Sequence, residues 1–159
     1  MGCKCGKDYA TGNCVCDILK EIAEAQSDVV ENCCDTSCEQ SINDLLGETD
    51  VGSGLDTVPV ILYCEDGCKP FKGFGAGHME DGTPGPIEAS FIFRVKNVDE
   101  NCCATLELVR NEEEPCTYDH LKDPADQGTD CLYATGICIT VDLSCFCHVT
   151  CLPAVSLFN

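Results

Sequence analysis

The sequence predicts a mainly β domain, a β-sandwich or jelly-roll-like pair of sheets with one N-terminal helix. Three observations carry this expectation. Clear helical periodicity occurs once, near the start of the chain. Five later segments alternate or are rich in β-branched residues, and most are bounded by turn residues. The chain has 159 residues and 44% hydrophobic content, enough for one domain with a packed core.

The elements follow in order. Residues 1–13 are small, polar and rich in Cys and Gly, and read as a flexible arm carrying Cys3 and Cys5. The helix is expected over 14–31, where Val15, Ile18, Leu19, Ile22, Ala23, Val29 and Val30 recur at helical spacing. Asn13 suits its N-cap, and Asp17 lies near the positive end of its dipole. Residues 33–57 read as an acidic loop with a short turn at 42–46. "VPVILYC" (58–64) is a strand, and "PFKGFG" (70–75) is its expected partner across "EDGCK". "GAGHMEDGTPGP" (75–86) reads as loop. "ASFIFRVKNV" (89–98) and "CCATLELVR" (102–110) form a hairpin through "DEN", with Cys102, Ala104, Leu106 and Leu108 on one face. Residues 111–130 are polar and read as loop.

The last strand is expected to run through "CITVDLSCFCHVTCL". Its odd positions from Ile137 to Cys151 are all apolar or thiol, so they form the core face, with Cys145, Cys147 and Cys151 on it. The single domain is thus expected over 14–152, with 153–159 as a tail.

Charge excludes some functions. With 28 acidic against 9 basic residues, the formal net charge is −19. No basic footprint exists for nucleic acid, and an anionic membrane surface is disfavoured on the same ground. The charge also opposes dense packing of copies, so an assembly needs divalent cations or covalent bonds to offset repulsion.

The 17 cysteines are the dominant chemical feature. Such a load ordinarily marks a disulfide scaffold of an oxidising compartment. Yet "MGCKCGKDYATGNCVC" has no apolar core of a signal peptide, no apolar run has the length of a membrane span, and Gly6 replaces the Ser/Thr of a myristoylation pattern. The odd count leaves at least one thiol free, ligated or paired with another chain. C-x-C occurs three times, C-C twice and C-x3-C three times, while C-x2-C is absent. That absence weighs against zinc ribbons and thioredoxin-like motifs, though C-x-C suits metal–thiolate clusters. A thiolate protein binding zinc or copper is therefore the alternative reading. On a strand, Cys102 and Cys103 point to opposite faces and do not pair with each other.

No catalytic constellation appears. The histidines His78, His120 and His148 are scattered, and on a strand Cys147 and His148 face opposite ways. "GFGAGH" lacks phosphate-loop spacing, and the acidic loop around 112–130 lacks EF-hand spacing.

The C-terminal segment "CITVDLSCFCHVTCL" resembles the signature of the CotY/CotZ/ExsY family of bacterial spore coat and exosporium proteins. "NCVCDILKEIAEAQ" (13–26), "TVPVILYCEDGCKPFKGFG" (57–75) and "FIFRVKNVDENCCATLELV" (91–109) are similar to that family in the same order. Cys64 and Cys68 are not expected in every member. The resemblance implies a structural, non-enzymatic protein without a cofactor. It implies self-assembly through hexameric rings into a two-dimensional lattice in the outermost spore layer, coat crust or exosporium, beside other coat or exosporium proteins. It also implies synthesis in the mother-cell cytoplasm without a signal peptide, followed by oxidation in the exposed shell. On this reading Cys3, Cys5, Cys14, Cys16, Cys33, Cys34 and Cys38 are candidates for disulfides between chains. Cys102, Cys103, Cys138, Cys145, Cys147 and Cys151 are candidates for disulfides within the chain or for buried thiols.

Overall fold

The computed structural model describes residues 14–29, 34–47, 54–112 and 121–158. The arm at 1–13, with its expected Asn13 cap, and residues 30–33 lie outside these, as do His120 and Asn159. The chain divides into two units, residues 1–35 and 36–159, each described on its own.

In the first unit, α1 spans Cys14–Ser27. It carries Asp17 in its first turn, as its dipole favours. Ser27 caps the far end by donating to the carbonyl of Ala23 at 2.9 Å. Its Val15, Ile18, Leu19 and Ile22 form an exposed apolar stripe.

The second unit is mainly β, with seven strands in two antiparallel sheets among the described residues. It opens with a helix where only a short turn was expected, α2 at Cys38–Leu45. The signal was Ser37, whose side chain accepts from the amide of Gln40 as an N-cap. The strands are β1 Val60–Cys64, β2 Gly73–His78, β3 Pro84–Ser90, β4 Ile92–Val98, β5 Cys103–Asn111, β6 Leu132–Asp142 and β7 Phe146–Cys151. One sheet has the order β6-β5-β4-β1-β7, and the other is the β2–β3 ribbon.

The β4–β5 hairpin forms as expected, from Ile92 opposite Val109 to Val98 opposite Ala104. Asp99 closes its turn by accepting from the amides of Asn101 and Cys103 at 2.8 and 2.9 Å. The expected pairing of 58–64 with 70–75 reduces to an isolated bridge between Tyr63 and Pro70. Instead β2 pairs with β3, in a stretch that reads as loop because of its glycines. Those glycines serve packing. A Cβ on Gly73 would lie 2.7 Å from the Phe93 ring and 2.8 Å from Ile139. One on Gly75 would lie 2.5 Å from Ile137. The ribbon's backbone therefore rests directly on core side chains.

The last long strand is in fact two strands on opposite edges of one sheet. A 3-10 turn at Leu143–Cys145 separates them, capped by Asp142, which accepts from the amide and hydroxyl of Ser144. These bonds hold the Asp142 carboxyl below its usual range, despite some desolvation. In a flat five-stranded sheet the edges would lie about 19 Å apart. The link from Asp142 to Phe146 spans at most about 15 Å. The sheet must therefore curl until its edges approach at this end.

The core lies inside that curl. Val60, Leu62, Phe93, Ala104, Leu106, Leu108 and Ile137 form its buried centre. Ile139, Val141, Leu143, Phe146 and Cys151 pack against it. Behind the sheet, Ile61, Ile92 and Val109 form a second cluster. The expected tail is tied down: Val155 bridges Thr57, and Asp56 accepts from the amides of Leu157 and Phe158 at 2.9 and 3.1 Å.

Candidate functional site

The thiols are the only chemistry the sequence singled out, and β7 organises the best defined of them. Antiparallel pairing sets Val60 opposite Cys151, Leu62 opposite Val149 and Tyr63 opposite His148. Cys64, the next residue of β1, is opposite Phe146, so Cys147 is an extra residue in a bulge. The 3-10 turn and this bulge each break the simple alternation. Core-facing positions thus run 137, 139, 141, 143, then 146, 149 and 151. Cys145 and Cys147, expected on the core face, are exposed. The physical reason is that both sit where a two-residue period is interrupted.

Cys151 keeps the expected face and is bonded to Cys38 of α2, across 113 residues, with Cα atoms 4.8 Å apart. That spacing is ordinary for a disulfide. Ser41, one turn further along α2, donates to the carbonyl of Leu152 at 2.8 Å. The bond and the hydrogen bond together staple α2 to the end of β7. Cys38, read from the sequence as a link between chains, is thus committed within its own chain.

Cys147 lies 3.7 Å, sulfur to sulfur, from Cys68. Cys68 stands in the turn after β1, where Gly67 and Cys68 both have positive φ, 77° and 51°. A non-glycine residue there is strained. The Cys147 thiol also reaches the carbonyl of Cys64 at 3.5 Å. Its hydrogen bond with Cys68, partial desolvation and the nearby charges of Cys68 and Glu65 push its pKa up.

The remaining candidates are dispersed. Cys102, at φ 61°, stands exposed at the β4–β5 turn, and its neighbour Cys103 is half-buried. The carboxylate of Asp99, then desolvation, Asp142 and Cys102 push the Cys103 thiol up. Cys138 is exposed on the edge strand β6, and Cys131, at φ 51°, is exposed just before it. Cys34 is exposed, and Cys16 is a half-buried thiol on α1. Cys14 is disulfide-bonded. Cys3, Cys5 and Cys33 lie outside the described residues. Among the described residues, no three His, Cys, Asp or Glu side chains converge as a metal site requires.

Sequence reasoning missed Cys68, whose only signal was a cysteine placed after glycine in a turn. It also missed the apolar cleft of about 380 Å³ on the core side of the sheet, which Leu62, Val95, Leu106, Phe146 and Val149 help line. Nothing in the strand pattern marks that cleft, because it is the uncovered part of an otherwise normal core face.

Comparison with known proteins gives a family for the chain. No solved structure matches the chain. Spore coat protein Z of Bacillus subtilis (strain 168) is 33% identical over 150 residues, covering 89% of this chain and 90% of the relative. The family model described as spore coat protein Z matches residues 3–154. With nearly the whole chain matched by that model, and a relative of this similarity over the same span, the chain belongs to the spore coat protein Z family.

Proposed function

We propose that this chain is a structural, non-enzymatic subunit of the spore coat, and that copies assemble into a two-dimensional lattice locked by disulfides. The lattice is hexagonal, is built from hexameric rings, and lies in the outermost layer, coat crust or exosporium, against other coat proteins. The subunit is made in the mother-cell cytoplasm and oxidised after assembly.

One observation carries this reading. Seven thiols, Cys34, Cys68, Cys102, Cys131, Cys138, Cys145 and Cys147, are exposed and outside any disulfide. A domain that used its sulfur for its own stability would bury or pair them. Instead, Cys102 and Cys131 stand in left-handed turn positions that glycine or asparagine ordinarily fills. Covalent links also answer the charge problem, since a net charge of −19 opposes close packing of copies.

Negative-stain electron microscopy of the purified chain, with and without reductant, tests the proposal. Ordered sheets that survive boiling only without reductant are the expected result. Sheets indifferent to reductant keep the lattice and remove the disulfide lock. Monodisperse subunits in both conditions overturn self-assembly, and stoichiometric zinc or copper in them would establish the metal–thiolate alternative.

A further inference from the structure

Cys68 and Cys147 differ from the other exposed thiols in having each other. Their sulfurs are 3.7 Å apart, so an approach of about 1.7 Å would make a bond of ordinary length. The backbones that carry them are already tied. The amide of Glu65 donates to the carbonyl of Cys145, and that of Cys64 to the carbonyl of Lys69, both at 2.8 Å. The amide of Phe71 donates to the carbonyl of Leu62 at 2.7 Å, which closes the turn that presents Cys68. The bulge turns Cys147 towards that turn. No large rearrangement stands between the two thiols and a disulfide, and both are exposed to a reagent.

We infer that Cys68 and Cys147 form a resolving pair, which closes into an intrachain disulfide on contact with a small-molecule disulfide and so withholds both residues from links between chains. The chemistry balances in two exchanges. One thiolate of the pair attacks the small disulfide, forms a mixed disulfide and expels one small thiolate. The second thiolate of the pair then attacks the protein sulfur of that mixed disulfide and expels the other. Two protein thiols are oxidised, one small disulfide is reduced to two thiols, and the two protons given up by the protein thiols are taken up by the expelled small thiolates. A thiol of another chain that captures Cys68 or Cys147 meets the same fate, because the resolving neighbour is always present. Even an effective concentration in the millimolar range favours the intrachain partner about 10³-fold over other chains at micromolar protein.

Durable links between chains then fall to exposed thiols away from this pair, such as Cys102, Cys131 and Cys138. This consequence deepens the proposed cross-linked lattice and rests on it. The closure itself does not, since it occurs within one subunit.

The test uses the full chain, reduced, freed of reductant and held dilute in an equal mixture of 15N-labelled and unlabelled protein. Oxidised glutathione is added, the remaining thiols are blocked, and peptides are mapped by mass spectrometry without reduction. The expected product joins Cys68 to Cys147 with both halves of one isotope, while Cys138 carries glutathione. In Cys68→Ser, Cys147 instead retains glutathione or appears in mixed-isotope links. Cys147→Ser gives the mirror result, and circular dichroism of both reduced variants checks their fold. Stable glutathione on both Cys68 and Cys147 of the wild type overturns the inference. So do mixed-isotope links through them, or both thiols still blocked by alkylation when Cys138 is fully modified. Failure of the lattice alone leaves these peptide results unchanged.

Discussion

β7 is only six residues long, yet its two ends hold sulfur in opposite ways. At its end, Cys151 lies in regular pairing opposite Val60, faces the core and is bonded to Cys38. Near its start, Cys147 is the extra residue of a bulge, stands exposed and faces a second thiol in a strained turn. Backbone regularity separates the two. A regular ladder aims a side chain at the core, where a disulfide becomes part of the packing. A bulge re-aims it to solvent, where the same chemistry stays reversible and open to partners.

Cutting the closed end should have the largest effect. The loop between Cys38 and Cys151 covers 113 residues of sequence. On the loop-closure account its removal costs about 3–5 kcal/mol. Cys38→Ser and Cys151→Ser should both lose this amount in urea unfolding without reductant. Cys147→Ser, in protein whose other end is intact, should change stability by under about 0.5 kcal/mol while the pair is open, as surface substitutions do. Equal losses at both ends would erase the distinction.

Closing the open end is the next sharpest comparison. Cys68 and Cys147 are 79 residues apart, against 113 for the existing bond. Loop closure makes the second bond worth somewhat less than the first, because its loop is shorter and lies within a chain that Cys38–Cys151 already cross-links. The closed wild type should therefore exceed Cys68→Ser by about 2–4 kcal/mol in urea unfolding. A gain well below that measures the strain the closed turn retains. No gain would mean that the bulge opens to admit the bond.

How much of this contrast the sequence shows depends on the reach of the interaction. Alternation over Ala104, Leu106 and Leu108, and over Ile137, Ile139 and Val141, is a local pattern, and all six residues pack in or against the core. The β4–β5 hairpin is local too, because its turn residues lie beside its strands. The bulge at Cys147 is not local. It is defined by its register against β1, more than eighty residues earlier. An uninterrupted two-residue period therefore places Cys145 and Cys147 on the wrong face. The pairing of Cys38 with Cys151 is equally distant, and α2 was masked by its polar composition. The β2–β3 ribbon was hidden because Gly73 and Gly75 signal a loop locally, while their real reason, contact with Phe93, Ile139 and Ile137, is tertiary. The thiol site was legible as a set of residues and illegible as a set of pairs.

Two smaller changes separate the ends further. Cys68→Gly removes a side chain from a left-handed position, with φ at 51°. It should stabilise the reduced chain by about 0.5–1 kcal/mol, the strain relieved less the entropy glycine adds. Ser41→Ala removes the hydroxyl that donates to the carbonyl of Leu152 beside the closed disulfide. It should cost about 1 kcal/mol. Thermal unfolding of each variant reads both effects, and they should have opposite signs.

The smallest effect is on the tail, and acid should reveal it. Beyond Cys151 the chain is pinned by Asp56, which accepts from the amides of Leu157 and Phe158 and from the hydroxyl of Thr57. Burial works against the ionised carboxyl. The hydrogen bonds from Leu157, Thr57 and Phe158, with the charge of Arg94, outweigh it and hold the pKa below its ordinary value of 3.8. A group depressed in this way stabilises the folded state fully above that ordinary value and loses its contribution as pH falls through the folded one. Amide exchange at Leu157 and Phe158, corrected for intrinsic rates, should therefore lose protection when pH is lowered from about 6 to about 3. In Asp56→Asn protection should already be low and should not change across that range. Protection that ignores pH in the wild type would mean the ionised carboxyl is not the clamp. The two ends of β7 then answer pH from opposite sides. Acid loosens the tail beyond the bonded end, while alkali, by supplying thiolate at Cys147, activates the open one.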